Sequence, residues 1–154
     1  MKNKFIYAFF IIVSLATGAL SAFITMDSMN IYSTVETPPL SPPSILFPIV
    51  WTILYILMGI SAARIYIANG KTWSTSLNVW AAQLFVNFLW SIIFFNMQAF
   101  LFAFVWLLLL LALIVTMIVL FYKQDKIAAY LQIPYLIWVT FAGYLNLGIY
   151  LLNK

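Results

Sequence analysis

Amide and hydroxyl side chains recur at helical spacing inside an apolar stretch of this sequence. Gln83, Asn87 and Ser91 stand four residues apart, so a helix would place all three on one face, beside Trp90. Polar groups in an apolar environment are costly unless they are hydrogen-bonded. We therefore expect this stripe to face other protein groups or a cavity. The residues alone leave two interpretations open: hydrogen bonds between helices, or a site for a ligand.

Two further faces of the same kind lie elsewhere in the chain. Trp138, Ala142 and Asn146 share one helical face, and Trp51 and Tyr55 share another. Tryptophan at a helix end is typical of a membrane–water interface, but Trp51 lies more than a turn inside its apolar stretch. We therefore treat Trp51 as a candidate for the wall of a cavity.

Groups that carry ordinary catalysis are scarce. The sequence has no cysteine and no histidine, and its only acids are Asp27, Glu36 and Asp125. A thiolate nucleophile, an iron–sulfur site and histidine ligation of a metal are therefore excluded, and acid–base catalysis has few groups to use. We predict no metal site and no resident cofactor.

The amino-acid composition indicates a membrane protein. Of the 154 residues, 66% are hydrophobic and 6% are charged, whereas soluble domains have roughly 45–50% apolar and about 25% charged residues. The mean hydropathy is +1.10. The seven Lys and Arg residues are scattered along the chain, so they form no basic stripe that would bind nucleic acid.

Five apolar stretches are each long enough to cross about 30 Å of hydrocarbon as a helix. The last four are separated by short connections, which make consecutive helices antiparallel neighbours. The sequence therefore predicts an all-α membrane protein, a single five-helix transmembrane bundle over residues 1–154. Its spans are about residues 5–26, 45–68, 76–95, 99–122 and 127–152. The first span also resembles a secretory signal, but its apolar run is longer than such signals have, so we favour a retained helix.

The first connection, about residues 27–44, is the long one, and it contains two proline pairs, Pro38-Pro39 and Pro42-Pro43. Proline fixes φ and removes a backbone donor, so this segment favours an extended conformation. It is either a strap between two helices or a lid over a cavity, and its length favours the lid. In the fifth span, Pro134 is expected to kink the helix.

Charge placement predicts the orientation. An odd number of spans puts the two termini on opposite faces, and the face richer in Lys and Arg is normally cytoplasmic. Lys154 falls on the C-terminal side, whereas six basic residues fall on the N-terminal side: Lys2, Lys4, Arg64, Lys71, Lys123 and Lys126. We therefore expect a bacterial cell-membrane protein with a cytoplasmic N-terminus, and with the first loop and the C-terminus outside.

Small residues recur at four-residue spacing in the first two spans, as Ser14, Gly18 and Ala22 and as Gly59 and Ala63. Such stripes allow close helix approach, either within the chain or in a homodimer, and the sequence leaves both open. Leu147–Lys154 matches only loosely a pattern proposed for sterol contact. We interpret Tyr150 and Lys154 as interfacial anchors instead, so sterol binding is not favoured.

Three ordered motifs resemble those of the tryptophan-rich sensory protein/translocator protein family, also called peripheral benzodiazepine receptors. The first is Pro38-Pro39 followed by Phe47-Pro48-Ile49-Val50-Trp51-Thr52-Ile53-Leu54-Tyr55. The second is Trp80-x-x-Gln83-Leu84-x-x-Asn87-x-x-Trp90-Ser91-x-x-Phe94-Phe95. The third is Pro134-Tyr135-x-x-Trp138-x-x-Phe141-x-x-x-Leu145-Asn146. The length, the five spans and the long first loop also resemble this family, so the resemblance covers nearly the whole chain.

The resemblance implies a five-helix bundle, often a homodimer, whose cavity is closed by the first loop and binds porphyrins, related tetrapyrroles or benzodiazepine-type drugs. Aromatic walls with a few amide donors suit such flat, apolar ligands. Carried over onto this sequence, the ligand-binding residues are Trp51, Tyr55, Asn87, Trp90, Trp138 and Ala142. A receptor or sensor is the favoured function, and a carrier of tetrapyrroles or sterols is the alternative. An enzyme would have to use light-dependent porphyrin breakdown, with Trp138 and Trp51 as the redox partners.

Overall fold

The computed structural model describes residues 2–154, and five of its helical segments are long and apolar enough to cross a membrane. The five-helix bundle that the sequence predicts is therefore confirmed. The helices are α1 Asn3–Thr25, α2 Ile31–Thr34, α3 Leu46–Ala68, α4 Thr75–Ser91, α5 Phe100–Gln124, α6 Lys126–Tyr130 and α7 Ile133–Asn153, and a π-helical turn, Ile92–Asn96, continues α4.

The spans form a closed ring of neighbours. Helix α1 packs along α3, α4 and α7 both pack on α5, α6 contacts α5 and α3, and α1 contacts α4. Helix α5 is almost wholly apolar along its length. One face is buried in the bundle, with residues at helical spacing, and the other faces outward. The buried residues are Ala103, Leu107, Leu110, Ile114, Met117 and Phe121.

Small residues explain how closely α1 approaches α3. A Cβ added to Gly59 would lie 2.5 Å from the Cα of Ile11, and a Cβ added to Gly18 would collide with the ring of Tyr55. The hydroxyl of Ser14 donates to the Tyr55 carbonyl at 2.7 Å. These small residues are thus used for packing within the chain, and the homodimer that the resemblance implies stays a prediction.

The fifth span differs from its predicted form. The sequence analysis expects one helix kinked at Pro134, whereas the structure breaks the span at Leu131 and Gln132, between α6 and α7. Pro134 then lies in the first turn of α7. A proline is tolerated there because the first turn leaves backbone N–H groups unused in any case.

One end of the bundle is fastened by an ion pair. Arg64, near the end of α3, pairs with Asp125 between α5 and α6, with its Nε 2.7 Å from Oδ2. Asp125 also accepts the backbone N–H of Ile127 at 3.1 Å and so caps α6. We call the opposite end, which carries residues 26–45, the loop end.

Candidate functional site

A cavity of about 570 Å³ lies inside the loop end of the bundle. Its wall comes from α1, α3, α4 with its π-helical turn, and α7, and residues of the first loop close it. Aromatic rings dominate the lining, and its polar atoms belong to uncharged side chains. The aromatic residues are Tyr32, Phe47, Trp51, Tyr55, Trp90, Phe94, Phe95 and Trp138, and the polar ones include Ser21, Thr52, Ser91 and Asn146.

The part of the cavity wall that α4 provides is hydrogen-bonded to α7 and α5 through the side-chain amide of Asn146. The indole N–H of Trp90 donates to Oδ1 of Asn146 at 3.1 Å, and Nδ2 of Asn146 donates to the Phe100 carbonyl at 2.8 Å. Asn146 therefore joins α4, α5 and α7 while it lines the cavity. The ring of Trp90 also stacks on Phe94, with centroids 5.2 Å apart.

The π-helical turn places two phenylalanines on the same wall. The N–H of Met97 donates to the Ile92 carbonyl at 3.0 Å, a bond that spans five residues instead of four. Such a turn holds one extra residue and rotates the side chains that it contains. Phe94 and Phe95, four residues after the wall residues Trp90 and Ser91, both line the cavity from this turn.

Helices α3 and α7 face each other through aromatic rings. The centroid of Phe47 lies 5.8 Å from that of Trp138, and the centroid of Trp51 lies 6.3 Å from that of Tyr135. The indole nitrogen of Trp138 is buried and has no hydrogen-bond partner among residues 2–154. Buried tryptophan N–H groups usually find an acceptor, so Trp138 offers a free donor beside the cavity.

The first loop closes the cavity at the loop end. Met29, Tyr32 and Ser44 contribute to the lining. The loop is bound to α7 by the hydroxyl of Tyr144, which donates to the Pro39 carbonyl at 2.6 Å. Asn153 adds a reciprocal pair: Oδ1 accepts the N–H of Glu36 at 3.0 Å and Nδ2 donates to its carbonyl at 2.8 Å.

Asn87 does not line the cavity, but it contacts the wall residue Tyr55 from behind. Its Nδ2 donates to the hydroxyl of Tyr135 at 3.2 Å and to that of Tyr55 at 3.4 Å. The hydroxyl of Tyr135 in turn donates to Oε1 of Gln83 at 2.6 Å. These four side chains form a buried polar network between α3, α4 and α7. The structure thus places Asn87 in hydrogen bonds between helices, whereas Ser91 of the same stripe lines the cavity. The role of Asn87 in ligand binding stays a prediction.

Five of the six predicted site residues meet at the cavity wall: Trp51, Tyr55, Trp90, Trp138 and Ala142. Asn87 is absent from that wall. Asn146, which the sequence analysis placed on the right helical face but did not include in the site, occupies the wall instead. Asn146 follows Ala142 by four residues and Trp138 by eight, and this helical spacing is the sequence feature that could have identified it as a wall residue. The role of the five residues in ligand binding stays a prediction.

Comparison with known protein families gives a match to the TspO/MBR family over residues 10–152. The chain belongs to the TspO/MBR family. It is 42% identical over 148 residues to the tryptophan-rich protein TspO of Archaeoglobus fulgidus, covering 93% of this chain and 94% of that protein. It is 41% identical over 142 residues to the protein of the same name from Chlorobaculum tepidum, with 90% of each chain covered.

A eukaryotic relative matches over a shorter range. The translocator protein of Bos taurus is 32% identical over 118 residues, which are 75% of this chain and 70% of that protein. These matches confirm the resemblance inferred from the three sequence motifs. Together with the five apolar helices, they identify a multi-pass integral membrane protein.

The two buried amides of this TspO/MBR chain give a first testable contrast. Asn87→Leu and Asn146→Leu each remove two hydrogen bonds, so each should lower the free energy of unfolding by roughly 1–2 kcal/mol, the upper range for such bonds in membrane proteins. Only Asn146→Leu removes a wall residue and releases Trp90. If the cavity binds the porphyrins that the resemblance implies, we expect this variant alone to weaken the affinity, by about tenfold or 1.4 kcal/mol.

The measurement combines unfolding in detergent with a porphyrin titration of each folded variant. Asn87→Leu should bind within about threefold of the unmodified chain, a free-energy difference under about 0.7 kcal/mol. Tenfold weaker binding by Asn87→Leu with unchanged stability would contradict the assignment of Asn87 to the polar network and make it a ligand contact.

Proposed function

We propose that this chain is a membrane receptor that binds porphyrins and related flat, apolar ligands in the cavity at the loop end. One observation carries the proposal: Trp51, Trp90 and Trp138, from three different helices, surround a single cavity of about 570 Å³. Ligand sites commonly measure about 300–1,000 Å³ and combine apolar walls with a few polar groups.

The rings and polar atoms of the wall match the chemistry of such a ligand. Stacked and edge-on aromatic contacts suit the faces and edges of a flat macrocycle. Ser91 and Asn146 add polar groups beside these rings. Ala142 leaves the space next to Trp138 open because its side chain is a single methyl group.

A titration of the purified protein with protoporphyrin in the dark, followed by tryptophan fluorescence, tests this function. We expect saturable quenching, because three tryptophans line the site. Ala142→Trp fills the cavity and should weaken binding at least tenfold. The matched control is Ala112→Trp, an exposed position on α5, which should bind as the unmodified chain does. Absence of saturable quenching, or equal binding by Ala142→Trp, would refute the proposal.

A second candidate activity is light-dependent porphyrin breakdown, favoured by the readily oxidised indoles on the cavity wall, with Trp51 and Trp138 as the proposed redox partners. A carrier is the remaining alternative. Product formation that requires light distinguishes the photochemical activity from binding alone, whereas saturable porphyrin flux into sealed vesicles would identify a carrier.

We also propose that the N-terminus faces the cytoplasm of a bacterial cell, because six basic residues lie at the end opposite the loop end and Lys154 lies at the loop end. A cysteine at Ser33 should then react with an impermeant thiol reagent in intact cells, and a cysteine at Lys123 should not. Both positions are exposed, and the chain has no native cysteine. The opposite labelling pattern would show that the N-terminus faces the outside of the cell.

A further inference from the structure

Leu40, in the first loop, combines two features that are unfavourable in water. Its side chain is 85% exposed, the largest exposed fraction of any large hydrophobic residue in the part of the chain that the structure describes. Its backbone φ is +70°, in the left-handed region that glycine and asparagine adopt more readily than leucine. In this position the side chain contributes little to the packing of the chain itself. What lies around the loop therefore decides what Leu40 contacts.

The backbone around Leu40 is suited to an apolar environment. Proline has no N–H to donate, and each of the four prolines of the loop has its carbonyl in a hydrogen bond within the chain. The donors are Ser41 Oγ to Pro38 at 2.6 Å, the Tyr144 hydroxyl to Pro39 at 2.6 Å, the Tyr32 hydroxyl to Pro42 at 2.7 Å and the Leu46 N–H to Pro43 at 3.0 Å. Unpaired backbone groups are costly in lipid. These prolines therefore leave no unpaired backbone group to oppose contact with lipid.

The sequence that follows Leu40 is uncharged and exposes further apolar side chains. No charged residue lies between Glu36 and Arg64. Where the loop returns to α3, Ile45 is 68% exposed and Ile49 is 53% exposed. A segment that contacts lipid needs exposed apolar side chains and no charge at the same depth. Leu40 begins a segment of this kind.

The turn that contains Leu40 lies on the outward side of α7. Its preceding residue, Pro39, accepts the hydroxyl of Tyr144. Ile137, Tyr144 and Leu151 are seven residues apart and so share one face of α7. They are 64%, 43% and 50% exposed, whereas Trp138 lines the cavity from a different face. The loop therefore reaches past the cavity to the face of α7 that would meet the bilayer.

The depth of the turn can be read from α5 and α7. Tyr144 lies nine residues before the last residue of α7, or about 14 Å along the helix axis. It is two residues from Asn146, whose Nδ2 donates to the carbonyl of Phe100, the first residue of α5. The turn thus lies level with the beginning of α5, where Leu101 is 48% and Phe102 is 50% exposed. A span begins where lipid headgroups give way to hydrocarbon, so the turn lies at that boundary.

We propose that residues 38–41, which we call the anchor turn, insert into the leaflet at the loop end and place the side chain of Leu40 among the lipid chains. The partner is the phospholipid bilayer itself. Transfer of a leucine side chain from water to hydrocarbon is favourable, and this gain offsets the unfavourable φ of Leu40. The first loop is then held both by its bonds to α7 and by lipid. The inference goes beyond the proposed function and stands whether or not the cavity binds a porphyrin.

The test places one environment-sensitive fluorophore on single cysteines of the full chain in lipid nanodiscs, which is direct because the chain has no native cysteine. Leu40→Cys should be quenched at least threefold more strongly by phospholipids brominated on their acyl chains than Ser33→Cys, an exposed position on α2. Aqueous iodide should give the opposite order. Val115→Cys, 47% exposed on α5, provides the lipid reference. Quenching of Leu40→Cys by iodide as strong as that of Ser33→Cys, or by neither quencher, would overturn the proposal in favour of water or of a protein contact.

A measurement without a label separates lipid anchoring from the shape of the turn. Glu36 is exposed and is the sole glutamate of the chain, so a glutamate-specific protease reports how often this part of the loop opens. Leu40→Asn suits the positive φ but removes the apolar side chain, and in nanodiscs it should be cleaved at least threefold faster. Leu40→Met keeps an apolar side chain and should be cleaved at the rate of the unmodified chain. Cleavage of Leu40→Asn at an equal or slower rate would mean that the residue serves the turn alone and would overturn the proposal.

Discussion

Gly59→Ala should destabilise the bundle by about 2 kcal/mol or more, because the added methyl group would collide with the backbone of α1. The new Cβ would lie 2.5 Å from the Cα of Ile11 and 2.7 Å from its nitrogen. Backbone atoms cannot rotate away as a side chain can, so α1 would have to shift as a unit. Overpacking of this kind typically costs about 1–3 kcal/mol, and the shift would also disturb the bond from Ser14 to Tyr55.

Gly143→Ala provides the matched control. Its Cβ would lie 3.1 Å from Cδ2 of Leu107, the far end of a flexible side chain. Both glycines lie inside helices, where replacement by alanine gains roughly 1 kcal/mol of helix propensity. Gly143→Ala should therefore be neutral or stabilising, and the difference between the two variants isolates the backbone contact. Denaturant unfolding in detergent measures it; equal stability of the two would mean that α1 and α3 are less closely packed than the structure has them.

The bundle could be predicted from the sequence because its spans follow from one strong signal. Each span is a long apolar run bounded by more polar connections, and only helices satisfy their own backbone in lipid over such a length. The break at Leu131 and Gln132 gives no comparable signal. A proline predicts a disturbance of the helix, but it does not say whether the helix bends at the proline or ends before it.

The site could be predicted less completely, because helical spacing places residues on a face without saying what that face meets. Asn87 and Asn146 belong to similar stripes. Asn87 lies four residues from Gln83 and from Ser91, and Asn146 lies eight residues after Trp138. The structure buries both, one in a hydrogen-bond network and one on the cavity wall. Helical spacing from Trp90 and Ser91 places Phe94 and Phe95 on the same face, but the apolar pattern does not predict the π-helical turn that carries them.

Trp138→Phe should lose at least nine-tenths of any light-dependent porphyrin breakdown while keeping porphyrin affinity within about threefold, a free-energy change under about 0.7 kcal/mol. Trp138 lies on the cavity wall beside Phe47. An indole can donate an electron to a photoexcited porphyrin, whereas a phenyl ring is much harder to oxidise. Phenylalanine still presents a ring for stacking, so binding and turnover should separate. Dark titration gives the affinity, and product formation under a fixed light dose gives the turnover.

Trp106→Phe is the matched control, since Trp106 lies on α5 outside the cavity lining and donates its N–H to the Val86 carbonyl at 2.8 Å. It removes an indole without removing a wall residue, and breakdown should continue at the rate of the unmodified chain. Unchanged breakdown in Trp138→Phe with loss in Trp51→Phe would move the redox role to Trp51, whose ring lies 5.7 Å from that of Tyr55. Breakdown no faster than that of porphyrin in detergent alone would exclude the photochemical activity and leave the binding function standing, because stacking in the cavity requires no electron transfer.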